Sequence, residues 1–219
     1  MIVAAVLVAG GSGSRLGSAV PKAFVPIAGR TLLEHAVSRF RDDPRVRDCV
    51  VVAPDGWVDQ AFAASNCPVV PGGSTRQLSV DAGLLALPAD IDTVLVHDVA
   101  RPFVPVAVID RVLDALARGC DAAVPALPVT DTIKQVDDDA NVVATVDRDR
   151  LVAVQTPQGF RLAALVAAHE AAPDASASDD AMLVESMGGK VVVVRGDEDA
   201  FKITTPRDLL LAEAVAARG

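Results

Sequence analysis

The stretch Ile2-Val3-Ala4-Ala5-Val6-Leu7-Val8, running into Ala9-Gly10-Gly11-Ser12-Gly13-Ser14-Arg15-Leu16-Gly17, decides how the rest of the chain reads. Its first part is an unbroken apolar run of strand length, the pattern of a strand buried on both faces. Its second part removes Cβ atoms at Gly10, Gly11, Gly13 and Gly17, so that successive backbone N–H groups can close around anionic oxygens. Arg15, and Lys22 just after Pro21, set positive charge beside that cradle. The stretch predicts a phosphate site at the end of a first strand.

Two well-known phosphate loops fail against it. A Walker A loop needs Gly-Lys-Ser/Thr opening a helix, whereas Lys22 stands between Pro21 and Ala23. The dinucleotide fingerprint needs Gly-x-Gly-x-x-Gly, but after Gly11 and Gly13 the next glycine, Gly17, comes one residue late. The ribose-binding acid is also missing from its place, since Asp55 lies too far along.

Working outward, 219 residues suffice for one sizeable α/β domain, and 51% hydrophobic with 22% charged residues describes a globular chain. The longest apolar runs fall short of the roughly 20 residues of a membrane span, and the N-terminus lacks a basic leader and cleavage site. A cytoplasmic protein is expected. Cys49, Cys67 and Cys120 are odd in number and widely spaced, which predicts buried small apolar residues, with neither a disulfide framework nor a zinc site. The net charge of −9 argues against nucleic acid as a partner. Positive charge is instead local, and Lys22 and Lys202 both fall in motifs.

Strand and helix patterns then alternate to about residue 125, the signature of a parallel sheet with crossover helices. Thr31 to Arg41 reads as a helix with Leu33, Ala36, Val37 and Phe40 on one face and Thr31 with Glu34 as a capping box. Val50 to Ala53 and Val69-Val70 read as strands, the second ending in Pro71-Gly72-Gly73-Ser74. Thr75 to Leu87 has helical spacing through Leu78, Ala82 and Leu85, and it carries Arg76 and Ser79 in its opening turns. A helix start beside a Gly-Gly turn is a second place where amides can meet a ligand.

Thr93 to Val96 is a further strand, running into His97-Asp98-Val99-Ala100-Arg101-Pro102. Asp98 would stand at the carboxyl edge of the sheet, where open α/β folds bind ligands, and an acid near phosphate oxygens can help hold a divalent cation. His97 is expected to be a packed, hydrogen-bonded side chain, and Arg101 to contact substrate or pair with Asp98. After the strand Ala122 to Val124 the rhythm changes. Asp131 to Val136 and Asn141 to Val146 alternate about an acidic tip, a β-hairpin arm that is marginal alone and that a second subunit would cover economically. Leu151 to Val154 reads as strand, Phe160 to Ala171 as helix, and Ser178 as the N-cap of a helix through Val184 to Met187. Lys190 to Val194 returns to strand, and the final helix buries Leu209, Leu210, Ala212 and Ala216.

Taken together, Ala9 to Arg15, Pro21-Lys22, His97 to Pro102, Asp131-Thr132-Ile133-Lys134, Thr156-Pro157-Gln158 and Phe201-Lys202-Ile203-Thr204 resemble the 2-C-methyl-D-erythritol 4-phosphate cytidylyltransferases, in order and over essentially the whole chain. The resemblance implies a Rossmann-like, mostly parallel sheet flanked by helices, of the nucleotide-diphospho-sugar transferase type, with a protruding β-hairpin arm. It implies one cytidylyltransferase domain over 1–219 with the arm at about 130–147. It implies attack of a sugar-alcohol phosphate on the α-phosphate of CTP, with pyrophosphate leaving and Mg2+ as cofactor. Arg15 and Lys22 would stabilise charge on the α-phosphate, and Arg148 and Lys202 would hold the acceptor. Thr132, Thr156, Ser178 and Arg101 would surround the acceptor phosphate. Ala9, Gly10, Gly11, Gly13, Gly73, Ser79 and Asp98 would face the nucleotide. Magnesium would be held mainly by the triphosphate with Asp98 close by, and a homodimer would carry Arg148 across on the arm.

Gly10 where the family's loop commonly has alanine, Ala23 after Pro21-Lys22, Val99 and Ser178 depart from the pattern and leave the charged roles intact. A ribitol 5-phosphate cytidylyltransferase is the alternative, sharing the CTP loop and differing in its acceptor. A sugar-1-phosphate nucleotidyltransferase fits the later motifs poorly, and a non-catalytic nucleotide sensor would have no use for Lys202.

Overall fold

The structure is a computed structural model that describes residues 1–11, 16–172 and 177–218. The opening apolar run forms strand β1 (Val3–Val8), buried from Val3 to Leu7. A tight ribbon, β2 (Pro26–Ile27) and β3 (Arg30–Thr31), turns on Ala28 and Gly29, both at positive φ as a two-residue hairpin turn requires. It leads into α1 (Leu32–Arg41), whose Thr31 and Glu34 make the reciprocal capping box. Next come β4 (Val46–Ala53), α2 (Val58–Ser65), β5 (Val69–Pro71) and α3 (Arg76–Leu85). They are followed by β6 (Thr93–Asp98), α4 (Val106–Ala117) and β7 (Ala122–Pro128).

The arm is β8 (Ile133–Val136) paired with β9 (Val142–Val146), turning through its aspartates. The chain returns through β10 (Val152–Val154), β11 (Gln158–Arg161), α5 (Leu162–Ala171) and α6 (Asp180–Ser186). It finishes with β12 (Val191–Arg195) and α7 (Pro206–Ala216).

Strands β6, β1, β4 and β5 lie side by side and parallel. β11 is antiparallel between β6 and β7. Because Ala126 pairs with both Val154 of β10 and Arg195 of β12, those strands lie on opposite edges of β7. The fold is therefore α/β, its sheet parallel across β6, β1, β4 and β5, with an antiparallel insertion beside them. Alternation along the strands sorts the core into two layers. Leu7, Val51 and Leu95 pack with Phe40 of α1 and Ile109 of α4. Val6, Val52 and Val96 pack with Val80 of α3 and Leu165 of α5.

Several expectations change in detail. Helix α3 is present, but Leu78 and Leu85 are exposed while Gln77, Val80 and Gly83 are buried. A Cβ on Gly83 would overlap Val6 and crowd Val52, so this helix lies against the sheet through its smallest residue. Phe160 belongs to β11, and α5 begins two residues later. Asp179, not Ser178, caps α6 by accepting from the Met182 amide. In α7 Ala212 is buried and Leu210 is exposed. Cys49, Cys67 and Cys120 are buried and form no disulfide.

Candidate active site

The carboxyl ends of β1, β5 and β6 open onto a cavity of about 250 Å³. The glycine loop forms one wall: Ala9 is anchored by its amide on the Val52 carbonyl at 2.8 Å, and the Gly11 carbonyl accepts from the Lys22 amide at 3.1 Å. That bond brings Lys22 back beside the loop, where its ammonium donates to the Ile203 carbonyl at 2.8 Å. Head and tail of the chain thus meet at one cation. The opposite wall is the turn after β5, where a Cβ on Gly73 would overlap Leu78, so the turn can pack against the start of α3 only as glycine. Ser79 lies buried at the same wall, its hydroxyl donating to the Thr75 carbonyl at 2.8 Å.

Asp98, the last residue of β6, stands at the cavity floor between two cations. Arg76 Nε reaches Asp98 Oδ1 at 3.3 Å and Lys202 Nζ reaches Oδ2 at 2.7 Å. Burial alone would raise the Asp98 pKa, but the charges of Arg76 and Lys202 outweigh it and hold the carboxyl well below the usual carboxylate range. Arg76 is gripped from behind by Asp180, 2.6 Å from Nη1.

Beside Asp98, alternation turns His97 into the core against Phe40, with ring centroids 4.8 Å apart. Its Nε2 faces the Arg101 carbonyl at 3.1 Å, which can only accept, so Nε2 carries the hydrogen. Nδ1 then accepts from the Thr156 hydroxyl at 3.1 Å, while that same oxygen accepts from the Asp98 amide. Burial pushes the His97 pKa down to about 4, so the ring is neutral. His97 is the packed, hydrogen-bonded residue expected of it.

The family model for IspD, 2-C-methyl-D-erythritol 4-phosphate cytidylyltransferase, matches residues 3–218. The chain belongs to that family. The enzyme of that name from Streptomyces avermitilis is 51% identical over 230 residues, covering 98% of this chain and 92% of its own. That from Saccharopolyspora erythraea is 50% identical, covering 99% and 100%. Among solved structures, the 2-C-methyl-D-erythritol 4-phosphate cytidylyltransferase of Thermus thermophilus matches with a TM-score of 0.83 and 42% identity, covering 98% of each chain.

As a member of the cytidylyltransferases the protein is an enzyme, a nucleotidyltransferase. Ala9, Gly10, Gly11, Lys22, Gly73, Ser79, Asp98 and Lys202 all line the one cavity. Gly13 and Arg15 lie outside the described residues. The acceptor set is dispersed. Thr132 and Arg148 are exposed at the root of the arm, with an Arg148 guanidinium donating to the Thr130 carbonyl. Ser178 is exposed near the start of α6. Thr156, expected as a phosphate donor, gives its proton to His97 and organises the end of β6 instead. Of the two roles expected for Arg101, contact with substrate or an ion pair with Asp98, the ion pair is not formed; Arg101 donates to the Ala200 carbonyl at 2.8 Å and the Val154 carbonyl at 3.3 Å, joining the end of β6 to β10 and the tail.

Sequence reasoning notices Arg76 only as a helix-start residue and misses Asp180 and His169 altogether as contributors. The signal for Arg76 is its place one turn after Gly72-Gly73; nothing local marks the other two. Among the described residues no three His, Cys, Asp or Glu side chains group as metal ligands. No helix among them is long and apolar enough to cross a membrane.

Proposed function

We propose that the protein transfers CMP from CTP to 2-C-methyl-D-erythritol 4-phosphate, releasing pyrophosphate and forming 4-diphosphocytidyl-2-C-methyl-D-erythritol for non-mevalonate isoprenoid precursor synthesis. One observation carries the reading: Lys22, Arg76 and Lys202, from the head, middle and tail of the chain, line one cavity with the Gly10-Gly11 backbone. That is the charge and donor pattern a triphosphate requires.

The nucleophile is an oxygen of the acceptor phosphate, which attacks the α-phosphorus in line. The new P–O bond forms as the bond to the pyrophosphate oxygen breaks. The attacking oxygen is already ionised, so no general base is needed and the protein's work is positioning and charge stabilisation. Arg15 and Lys22 meet the charge growing on the α-phosphate oxygens. Lys202, beside Asp98, presents the acceptor phosphate together with Arg101, Arg148, Thr132 and Ser178.

The carboxylate of Asp98 is a hard oxygen donor of the type magnesium takes, and the lack of a larger acidic group among the described residues leaves most of the coordination to triphosphate oxygens. Bound there, magnesium would neutralise triphosphate charge. The arm supports a homodimer in which Thr132 and Arg148 serve the neighbouring subunit's site, since Val136, Val142 and Val143 on it are exposed in the single chain. Residues 1–219 act as one domain in the cytoplasm.

The test is pyrophosphate release with each of the four nucleoside triphosphates, with methylerythritol phosphate or ribitol phosphate as acceptor and with or without magnesium. Turnover is expected only with CTP, methylerythritol phosphate and magnesium together. Turnover confined to ribitol phosphate would reassign the enzyme.

A further inference from the structure

Behind the cavity, Arg76 is the visible end of a longer chain of charge. Asp180 holds Arg76 through Oδ2, while its Oδ1 faces His169 Nε2 at 3.2 Å. The other ring nitrogen, Nδ1, meets Asp81 Oδ1. From Asp81 to Lys202 the signs alternate: Asp81, His169, Asp180, Arg76, Asp98, Lys202. The chain runs from the packed α3–α5–α6 layer to the cavity floor. The side chains of His169 and Asp180 are only 3% and 1% exposed, against 27% for Arg76 and 44% for Lys202.

We propose that His169 is a positioning residue for nucleotide binding, its doubly protonated ring fixing Asp180 so that Asp180 holds Arg76 at the triphosphate. The proposal rests on the CTP reading of the cavity. The geometry fixes the protonation: each ring nitrogen faces a carboxylate oxygen, which only accepts, so both nitrogens must donate. Loss of either proton would set a nitrogen lone pair against a carboxylate oxygen. A buried carboxylate that loses one of its two cationic partners is badly compensated and must shift toward the other or toward water. Either shift moves Arg76.

The groups facing the ring are these carboxylates, Asp81 from α3 and Asp180 from α6. The third element against α5, β11, turns its one charged residue away, with Arg161 donating to the Cys120 carbonyl at 3.1 Å. Burial favours the neutral ring, yet the hydrogen bond and charge of Asp180 and the charge of Asp81 outweigh it and raise the His169 pKa. The hold is therefore present below that raised pKa and is lost as pH climbs through it.

Two measurements test this. In the wild type, the imidazole titrations of His35, His97 and His169 are followed by NMR with and without CTP and magnesium. If the charged ring favours the nucleotide, reciprocity requires the nucleotide to raise the His169 pKa. An unchanged or lowered His169 pKa in a protein that demonstrably binds CTP overturns the proposal, whereas absence of CTP binding overturns the functional reading itself. The second measurement is KM and kcat across neutral to alkaline pH for wild type, His169→Gln and Asp81→Asn. The wild-type KM for CTP is expected to climb on the alkaline side. His169→Gln should raise it by about tenfold, the scale of one lost charge-assisted hydrogen bond, and flatten that climb with little change in kcat. A lowered melting temperature with wild-type KM values and pH profile would make His169 a structural residue only.

Discussion

The cavity end of the sheet and the β8–β9 arm are built on opposite plans. At the cavity, each charged side chain among the described residues is held by a partner from a distant part of the chain: Lys22 by Ile203, Asp98 by Arg76 and Lys202, Arg76 by Asp180. On the arm, two strands pair only with each other, and Lys134 bonds across the ribbon to Thr145. Val136, Val142 and Val143 of the arm are exposed, and so is Arg148 at its root. One region is cross-linked by distant parts of the chain and the other stands on its own two strands. On the proposed function, the nucleotide half of the reaction has its groups preset within one chain, while the acceptor half draws on a partner subunit.

The sharpest way to break that contrast is at Lys22. Replacing it with alanine should lower turnover by at least ~100-fold, the cost of one preorganised donor to transition-state charge, with the circular dichroism spectrum retained. Near-normal turnover would take Lys22 out of the mechanism. A shared acceptor half predicts complementation next. Arg148→Ala should lose roughly tenfold or more in acceptor kcat/KM with its KM for CTP unchanged, the scale of one charged hydrogen bond. Mixing it with Lys22→Ala should restore activity, because one site of each mixed dimer keeps both intact side chains. No recovery on mixing would mean that Arg148 works within its own subunit.

A milder effect is expected from Val143→Glu, which places charge on the uncovered face of the arm. It should shift the mass measured by light scattering from dimer toward monomer, with activity falling in parallel. Full activity as a monomer would remove the need for a partner. The smallest effect lies on the buried side of the cavity. The His97 pKa, pushed down to about 4 by burial, lies below that of the unfolded chain, about 6.5. Stability should then decline as pH falls through that window, because the unfolded chain takes up a proton that the folded one excludes. Urea midpoints of His97→Gln should depend less on pH between those limits; equal slopes would place the acid sensitivity elsewhere.

What is legible in the sequence is local. The first strand, the capping box of Thr31 and Glu34 and the hairpin turning at its aspartates are each decided within a few residues, and each forms where its local pattern predicts. Lys22, Asp98 and Lys202 can be named because each sits in a recognisable short motif. Face and end details are less legible. Leu78 and Leu85 have helical spacing, yet close approach at Gly83 selects the other face of α3. Ser178 and Asp179 are both good caps, and only the side-chain bond to the Met182 amide separates them. The Arg76–Asp180–His169 line is invisible for another reason. Arg76 and Asp180 lie 104 residues apart, and neither carries a pattern that names the other.

Asp98 has one further consequence for what enters the cavity. This single carboxylate shares one negative charge between Arg76 and Lys202, so an incoming anion meets two cations already engaged by a fixed partner but still holding further N–H donors. A solitary inorganic phosphate can meet only the donors that Asp98 leaves free. A longer polyanion can meet the glycine backbone and Lys22 first and reach Asp98's partners last. The floor of the cavity thereby selects for length as well as charge.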